Sequence, residues 1–320
     1  MRSGTEPPAQ GFGATHSCQT AERQNQSSIY FRIGVHAPMN RLPNDLWRGI
    51  RRHPWRTPRD AFLAFSALWT VTEGLSYFVP GFDIKGVFSL CAIIAVSVIF
   101  ALYRVAKPTR IEIKVPHTDT VLEILFGDLF AQEGYRAIAV NEFFDSELGK
   151  VVAEESLHGL FLKRCFGGHP ESFDKQVGEE LKGTPSQRVD RPSGKPLRYE
   201  IGTCALLTVD VDRYVTFAFT ETDVMTCKAS ADVNMLWRSL DGLWKKARIE
   251  TGGKSLNVPL VGSGLAGIGL PTRDLLNLII LSVIVGTKQQ QITRRIRIVL
   301  WKDRYDDLDL REVKRYWEEH

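Results

Sequence analysis

Residues 61–106 read AFLAFSALWTVTEGLSYFVPGFDIKGVFSLCAIIAVSVIFALYRVA. Within them Ala61–Val79 and Val87–Ala106 are two apolar runs, each about as long as a helix must be to cross the hydrocarbon core of a bilayer. Only Pro80–Gly86 separates them, enough for a hairpin turn and too little for a folded unit. Arg41, Arg48, Arg51, Arg52, Arg56 and Arg59 precede the pair, and Arg104, Lys107, Arg110 and Lys114 follow it. Positive charge at both outer ends predicts a two-pass hairpin with both termini on the cytoplasmic side. The alternative is a helical hairpin buried in a protein core. It ranks second because Val87–Tyr103 carries no charge at all.

The first run is the more polar of the two, with Thr70, Thr72, Glu73, Gly74 and Ser76 toward one end. A carboxylate inside a bilayer costs a few kcal/mol unless water or a partner meets it. Glu73 therefore sits near the interface, or on a face that meets other hairpins or lines an aqueous path; the residues leave both open. In the second run Ser89, Ala92, Ala95 and Ser97 would permit close helix packing.

The rest of the chain looks different. The whole chain of 320 residues is 43% hydrophobic with a net charge of +4, too modest a balance to imply nucleic acid. Mean hydropathy is −0.14, so the two runs are local departures. Five dispersed cysteines form no CxxC pair and fit a reducing compartment, and no histidine pattern suggests a metal site. Residues 1–45, rich in Gly, Ser, Gln, Pro and Thr, read as disordered. Residues 46–109 form the basic flank and hairpin, and 110–320 a further domain.

In that domain β-branched runs at Ile111–Val115, Val121–Phe126, Arg136–Asn141, Arg198–Thr208, Tyr214–Thr220, Leu256–Val261 and Ile296–Leu300 predict strands. Ser230–Arg248, Arg273–Val285 and Leu308–Glu318 predict helices, and residues 167–194 a long loop holding a short helix. Strands alternating with helices predict a mixed α/β sheet covered by helices.

Three segments have the composition of a binding site. Gly127–Asp128 ends a strand, where Asp128 would accept a hydrogen bond from an exocyclic amine or cap a helix. Val140–Asn141 runs directly into polar residues, and strand ends are where such sheets bind ligands. The stretch 259–270, PLVGSGLAGIGL, opens a helix; its glycines would let backbone N–H groups surround a phosphate. Gly262, Gly264 and Gly267 match GxGxxG, but weakly as a dinucleotide fingerprint, because no acidic residue ends the following strand. A diphosphate cradle of another kind is the better reading, because the plainer alternative, a flexible turn, does not explain four glycines within eight residues.

Together Phe126–Gly127–Asp128, Val140–Asn141 and Val261–Leu265 resemble a macro domain, an α/β/α sandwich, across roughly residues 110–320. With the preceding hairpin, Asn141–Asp145 and Ser156–Gly159, the chain resembles the membrane-anchored macro-domain effectors of bacterial Thoeris anti-phage defence. The resemblance implies an ADP-ribose-derived signal made by a partner TIR-domain protein, then homo-oligomerisation and disruption of the lipid membrane. It implies Asp128 beside Gly127 at the adenine amine, and Gly262, Ser263, Gly264, Leu265 and Gly267 around the diphosphate. It sets Asn141, Asp145, Ser156 and His158 near the distal ribose. The family's common Asn-x-Ala-Asn stretch is here Asn141–Glu142–Phe143–Phe144, and the glycine-rich segment after it is replaced by Ser156–Leu157–His158–Gly159. These departures favour a reader without catalysis or cofactor over the alternatives, a membrane-tethered ADP-ribosyl hydrolase or a plain anchored reader.

Overall fold

The computed structural model describes residues 46–47, 50–51, 54–79, 81, 86–265 and 267–319. The expected disorder of 1–45 and the expected outward turn at Phe82–Asp83 lie outside these residues.

Two long helices come first, α1 (Arg56–Phe78) and α2 (Val87–Val105). They run antiparallel and pack along one another. Their apolar side chains point away from the chain: Phe62, Tyr77, Phe88 and Ile99 are all exposed, and in α2 only Ser97 and Ala101 are buried. The buried-core alternative therefore does not describe this hairpin. The expected pair of spanning helices meets a difference, because among the described residues α2 alone is long and apolar enough to cross a membrane. In α1 the Thr, Glu, Gly and Ser residues of its second half lower the apolar content. Its hydroxyls do not seek outside partners. Thr70 donates to Ser66 O at 2.8 Å, Thr72 to Leu68 O at 2.9 Å and Ser76 to Glu73 O at 2.8 Å.

The domain is a mixed sheet between two helical layers. Its strands are β1 (Arg110–Lys114), β2 (Val121–Phe126), β3 (Tyr135–Asn141), β6 (Cys204–Val209), β7 (Asp212–Thr222), β9 (Leu256–Pro259) and β10 (Arg295–Leu300), in the order β1-β2-β10-β9-β3-β7-β6. A two-residue β8 (Ala229–Ser230) adds to β7, and β4 (Ser186–Arg188) pairs with β5 (Leu197–Tyr199) in a separate ribbon. From β2 through β10, β9 and β3 to β7 every pairing is parallel, so all five strands end at one edge. Alternation sets the two faces. Leu122, Ile124, Ile296 and Ile298 pack under α5 (Val233–Glu250), α6 (Thr272–Gln289) and α7 (Leu310–Glu318). Ile138, Val140 and Ala218 pack under α3 (Leu157–Phe166) and α4 (Glu171–Glu180).

Some expected boundaries change. The single strand expected at 198–208 is divided between β5 and β6, and the residues between them turn; Gly202, at φ 96, approaches α5 so closely that a Cβ would lie 2.7 Å from Arg238 O. The stretch 156–159, which stands where the resemblance has a glycine-rich segment, is the capped start of α3. The expected loop at 167–194 contains α4 and strand β4.

Candidate functional site

At the shared edge of the parallel strands, β2 ends in Gly127–Asp128 and β10 in Trp301. Gly127 N donates to Leu300 O at 2.9 Å, which holds the two ends side by side. The Asp128 carboxylate caps the short 3-10 turn Leu129–Ala131, accepting from Phe130 N at 3.0 Å. Its other oxygen meets Arg164 Nη1 of α3 at 2.9 Å, and its side chain remains one-third exposed at 33%. The capping alternative thus describes Asp128 as it stands. The exposed remainder leaves lone-pair positions open at the edge. Beside it the Trp301 indole is half exposed, its Nε1 donating to Asp303 Oδ2 at 3.1 Å.

After β9 the chain forms the glycine-rich loop. Gly262 sits at φ 84, and a Cβ there would come within 2.8 Å of Ile268 Cδ1, so any larger residue would be strained and would push Ile268 aside. Ile268 N closes the loop onto Gly262 O at 3.1 Å, and Arg304 Nη2 donates to Ser263 O at 3.1 Å. The N–H groups of Ser263, Gly264, Leu265 and Gly267 have no acceptor among the described residues. Four open donors on one loop favour anionic oxygens. Gly264 is open on its Cβ side, with nothing within 4 Å, whereas a Cβ on Gly267 would lie 3.0 Å from Gly264 O. Leu265 projects outward, 72% exposed.

The end of β3 is built otherwise. A register shift between Val140 and Asn141 re-aims the strand as it leaves the sheet. Asn141 Nδ2 donates to Asp145 Oδ2 at 2.8 Å, and Asp145 N donates back to Asn141 Oδ1 at 3.0 Å. Arg191 Nη1 reaches Asp145 Oδ2 at 2.8 Å and Lys195 N reaches Oδ1 at 2.7 Å. The Arg191–Asp145 pair is sealed, at 1% and 0% exposure. Gly194, at φ 83, lets the strap pass where a Cβ would fall 2.5 Å from Asp145 Oδ1. Between them Phe144 is held at φ 50, a strained conformation for a buried aromatic residue. Asn141 and Asp145 are thus buried and joined to each other; as placed, they face protein rather than solvent.

Ser156 caps α3, its Oγ accepting from Gly159 N at 3.0 Å. His158 is buried against Phe173 with ring centres 6.0 Å apart, and its Nε2 has no partner. Burial, with the Lys195 charge nearby, pulls its pKa down to about 3, so the ring is neutral. Burial likewise lowers the Lys195 ammonium, whose Nζ donates to Phe144 O at 2.6 Å. Glu142, buried beside them, accepts from Thr222 N at 2.9 Å, and desolvation raises its pKa.

The structure therefore brings Gly127, Asp128 and the described residues of the 262–267 loop to one edge; Asp128, Ser263, Gly264, Leu265 and Gly267 are reachable there, whereas Gly127 and Gly262 are buried. It brings Asn141, Asp145, Ser156 and His158 near the same edge but ties three of them into local structure and buries His158. Sequence reasoning missed Trp301, Arg304 and the Arg191–Lys195 strap. Trp301 had a visible signal, an aromatic residue directly after the Ile296–Leu300 run; the strap had none. Among the described residues no group of three or more His, Cys, Asp or Glu side chains is placed to hold a metal.

Residues 122–301 match the family model described as Thoeris protein ThsA, Macro domain. The chain is 23% identical over 271 residues to the Thoeris protein ThsA of Bacillus amyloliquefaciens (strain Y2), covering 79% of this chain and 88% of that one. Among solved structures, the Oceanobacillus iheyensis macrodomain with ADP is 12% identical, covering 66% of this chain and 98% of that one, with a TM-score of 0.47. The Trypanosoma brucei macrodomain in complex with ADP-ribose is 11% identical, covering 62% and 72%, with a TM-score of 0.41.

Proposed function

Because the chain belongs to the ThsA macro-domain family of Thoeris proteins, we propose that its domain is a non-enzymatic reader of an ADP-ribose-derived signal in anti-phage defence. The observation that carries this reading is the loop 262–267, whose N–H groups stand open at the strand edge within the matched residues. That loop suits a diphosphate, the Trp301 face suits an adenine ring, and the exposed part of Asp128 suits its exocyclic amine. A partner TIR-domain protein would supply the signal. Ligand-driven assembly of several copies would then bring hairpins together in the bacterial inner membrane, both termini cytoplasmic, and breach it in abortive infection.

In this reading the groove between α1 and α2 has a purpose. Thr72, Glu73, Ser76 and Ser89 meet there around a space of about 280 Å³. A lone hairpin holds a carboxylate at a membrane depth where it is costly; clustered hairpins could turn that face inward to water. A ligand shifts such an equilibrium only through its greater affinity for the assembled state.

Titration of the full-length protein in detergent with ADP-ribose, followed by dye release from vesicles, tests the proposal. Saturable binding with a larger assembly and ligand-dependent release is expected. Binding without assembly or release would leave only an anchored reader, and turnover of ADP-ribosylated protein would favour the hydrolase. Absence of binding would overturn the reading.

A further inference from the structure

At the hairpin end remote from its turn, a cavity of about 490 Å³ opens between the helices and the domain. Arg56 and Arg59 reach it from the first turn of α1, Arg104 and Lys107 from the end of α2, and Arg311 from α7. Its walls are tied together by the domain itself. Tyr305 Oη donates to Lys107 O at 2.8 Å and Arg311 Nη1 donates to Tyr103 O at 2.8 Å, so the last carbonyls of α2 are held by domain side chains.

The cavity's acids are already engaged. Asp60, buried at 6%, accepts from Arg59 at 3.2 Å; Asp306 accepts from Arg56 at 3.4 Å, Asp309 pairs with Arg311, and Glu312 pairs with Arg273 outside the cavity at 3.3 Å. Two cations are not comparably matched. Arg104 has only a 3.8 Å contact with Asp60 and is 58% exposed, and Lys107 has no ion pair within 4 Å among the described residues, acting on Asp309 only from a distance. Their neighbours on α2 are apolar and face outward: Arg104 lies 5.9 Å from the Phe100 ring, and Phe100 and Tyr103 are 46% and 63% exposed. The site thus has a charged head and an apolar flank. A helix of 19 residues rises about 28 Å, the thickness of a bilayer's hydrocarbon core. Arg104 and Lys107 then emerge at the level of the lipid phosphates, where basic pockets beside membrane helices attract anionic headgroups.

We infer that this cavity takes the phosphodiester headgroup of an anionic phospholipid, held by Arg104 and Lys107 with an acyl chain along Phe100 and Tyr103. The inference rests on the membrane reading of α2 and adds a ligand to it. Such a lipid would fix the domain's base against the inner leaflet, next to the 302–305 turn whose Arg304 supports the glycine-rich loop.

The test uses the full-length chain in neutral detergent, titrated with phosphatidylglycerol, phosphatidylcholine or inorganic phosphate and read by native mass spectrometry. One phosphatidylglycerol per chain is expected, with phosphatidylcholine and inorganic phosphate failing to replace it. The double variant Arg104→Gln, Lys107→Gln should bind about thirtyfold more weakly, and the charge-keeping Arg104→Lys, Lys107→Arg within about threefold of the parent. If the double variant does not fold, the single Gln variants, each weakened about fivefold, carry the comparison. Equal binding by parent and Gln variants, or equal binding of phosphatidylcholine, would overturn the inference. Inorganic phosphate binding as well as the lipid would also overturn it, since the source would then be a free anion. Chain found in membranes after a carbonate wash but without lipid preference sinks this inference alone; chain washed free of membranes sinks the membrane reading beneath it.

Discussion

The loops after β9 and after β3 leave the same sheet edge, yet they are opposite in what they have left to offer. In the glycine-rich loop the N–H groups of Ser263, Gly264, Leu265 and Gly267 have no acceptor among the described residues, whereas the Asn141–Asp145 loop uses its polar atoms on itself and on the Arg191–Lys195 strap. Both looked polar and glycine- or carboxylate-marked in sequence. The difference lies in unmet hydrogen-bonding capacity, and affinity should follow it: the first loop is where a ligand gains contacts, the second is what keeps the edge rigid.

The largest effect is expected where the rigid loop is broken. Asp145→Ala leaves Arg191 buried without its counter-charge, and removing one member of a buried pair costs about 3–5 kcal/mol. Urea unfolding should show that loss, with ADP-ribose affinity of the folded remainder little changed. If Asp145→Ala is stable but fails to bind ligand, the roles of the two loops are reversed. Next comes Gly262→Val, which places a β-branched side chain at φ 84 and against Ile268. It should lose about 1–3 kcal/mol of stability and most of its ligand affinity in a calorimetric titration, while Gly264→Ala, with open space around it, leaves stability unchanged. An unchanged affinity in Gly262→Val moves the diphosphate elsewhere.

Asp128→Ala should weaken binding by about 1.5–3 kcal/mol, roughly ten- to a hundredfold, through loss of one charge-assisted hydrogen bond. Part of the change in stability would come from Arg164, left without its partner. Asp128→Asn, which keeps the cap, should recover the cap's share of the stability but neither the Arg164 share nor the affinity. One effect appears only in acid and is absent at neutral pH. His158 is buried neutral with a pKa near 3, against 6.5 for an ordinary histidine. Unfolded chains therefore take up the proton first, and this residue removes stability as pH falls from 6.5 toward 3, by about 1.4 kcal/mol per pH unit at most. Above pH 6.5 it contributes no slope. His158→Leu should flatten that part of the stability–pH profile; an unaltered slope means that the ring is reached by water.

Much of the fold was legible in the chain. β-Branched runs located β2, β3, β7, β9 and β10 closely, because each is buried on both faces or alternates cleanly. The glycine-rich loop and its following helix were legible for the same local reason. Helix α3 was not, since its start at Leu157 depends on Ser156 capping and on packing under the sheet rather than on a strong apolar period. Asp145 could not be assigned from sequence, because its partners lie 46 and 50 residues away. The expectation of two spanning helices is not met: among the described residues α2 alone is long and apolar enough, and the second half of α1 is too polar.

Hydrogen–deuterium exchange on the full-length protein with and without ADP-ribose addresses both loops in one experiment. Protection is expected at 262–268 and at 301–304, with 141–145 already slow to exchange and unchanged by ligand. New protection confined to 141–145 and 156–159, with 262–268 exchanging as freely as before, would contradict the assignment of the binding edge.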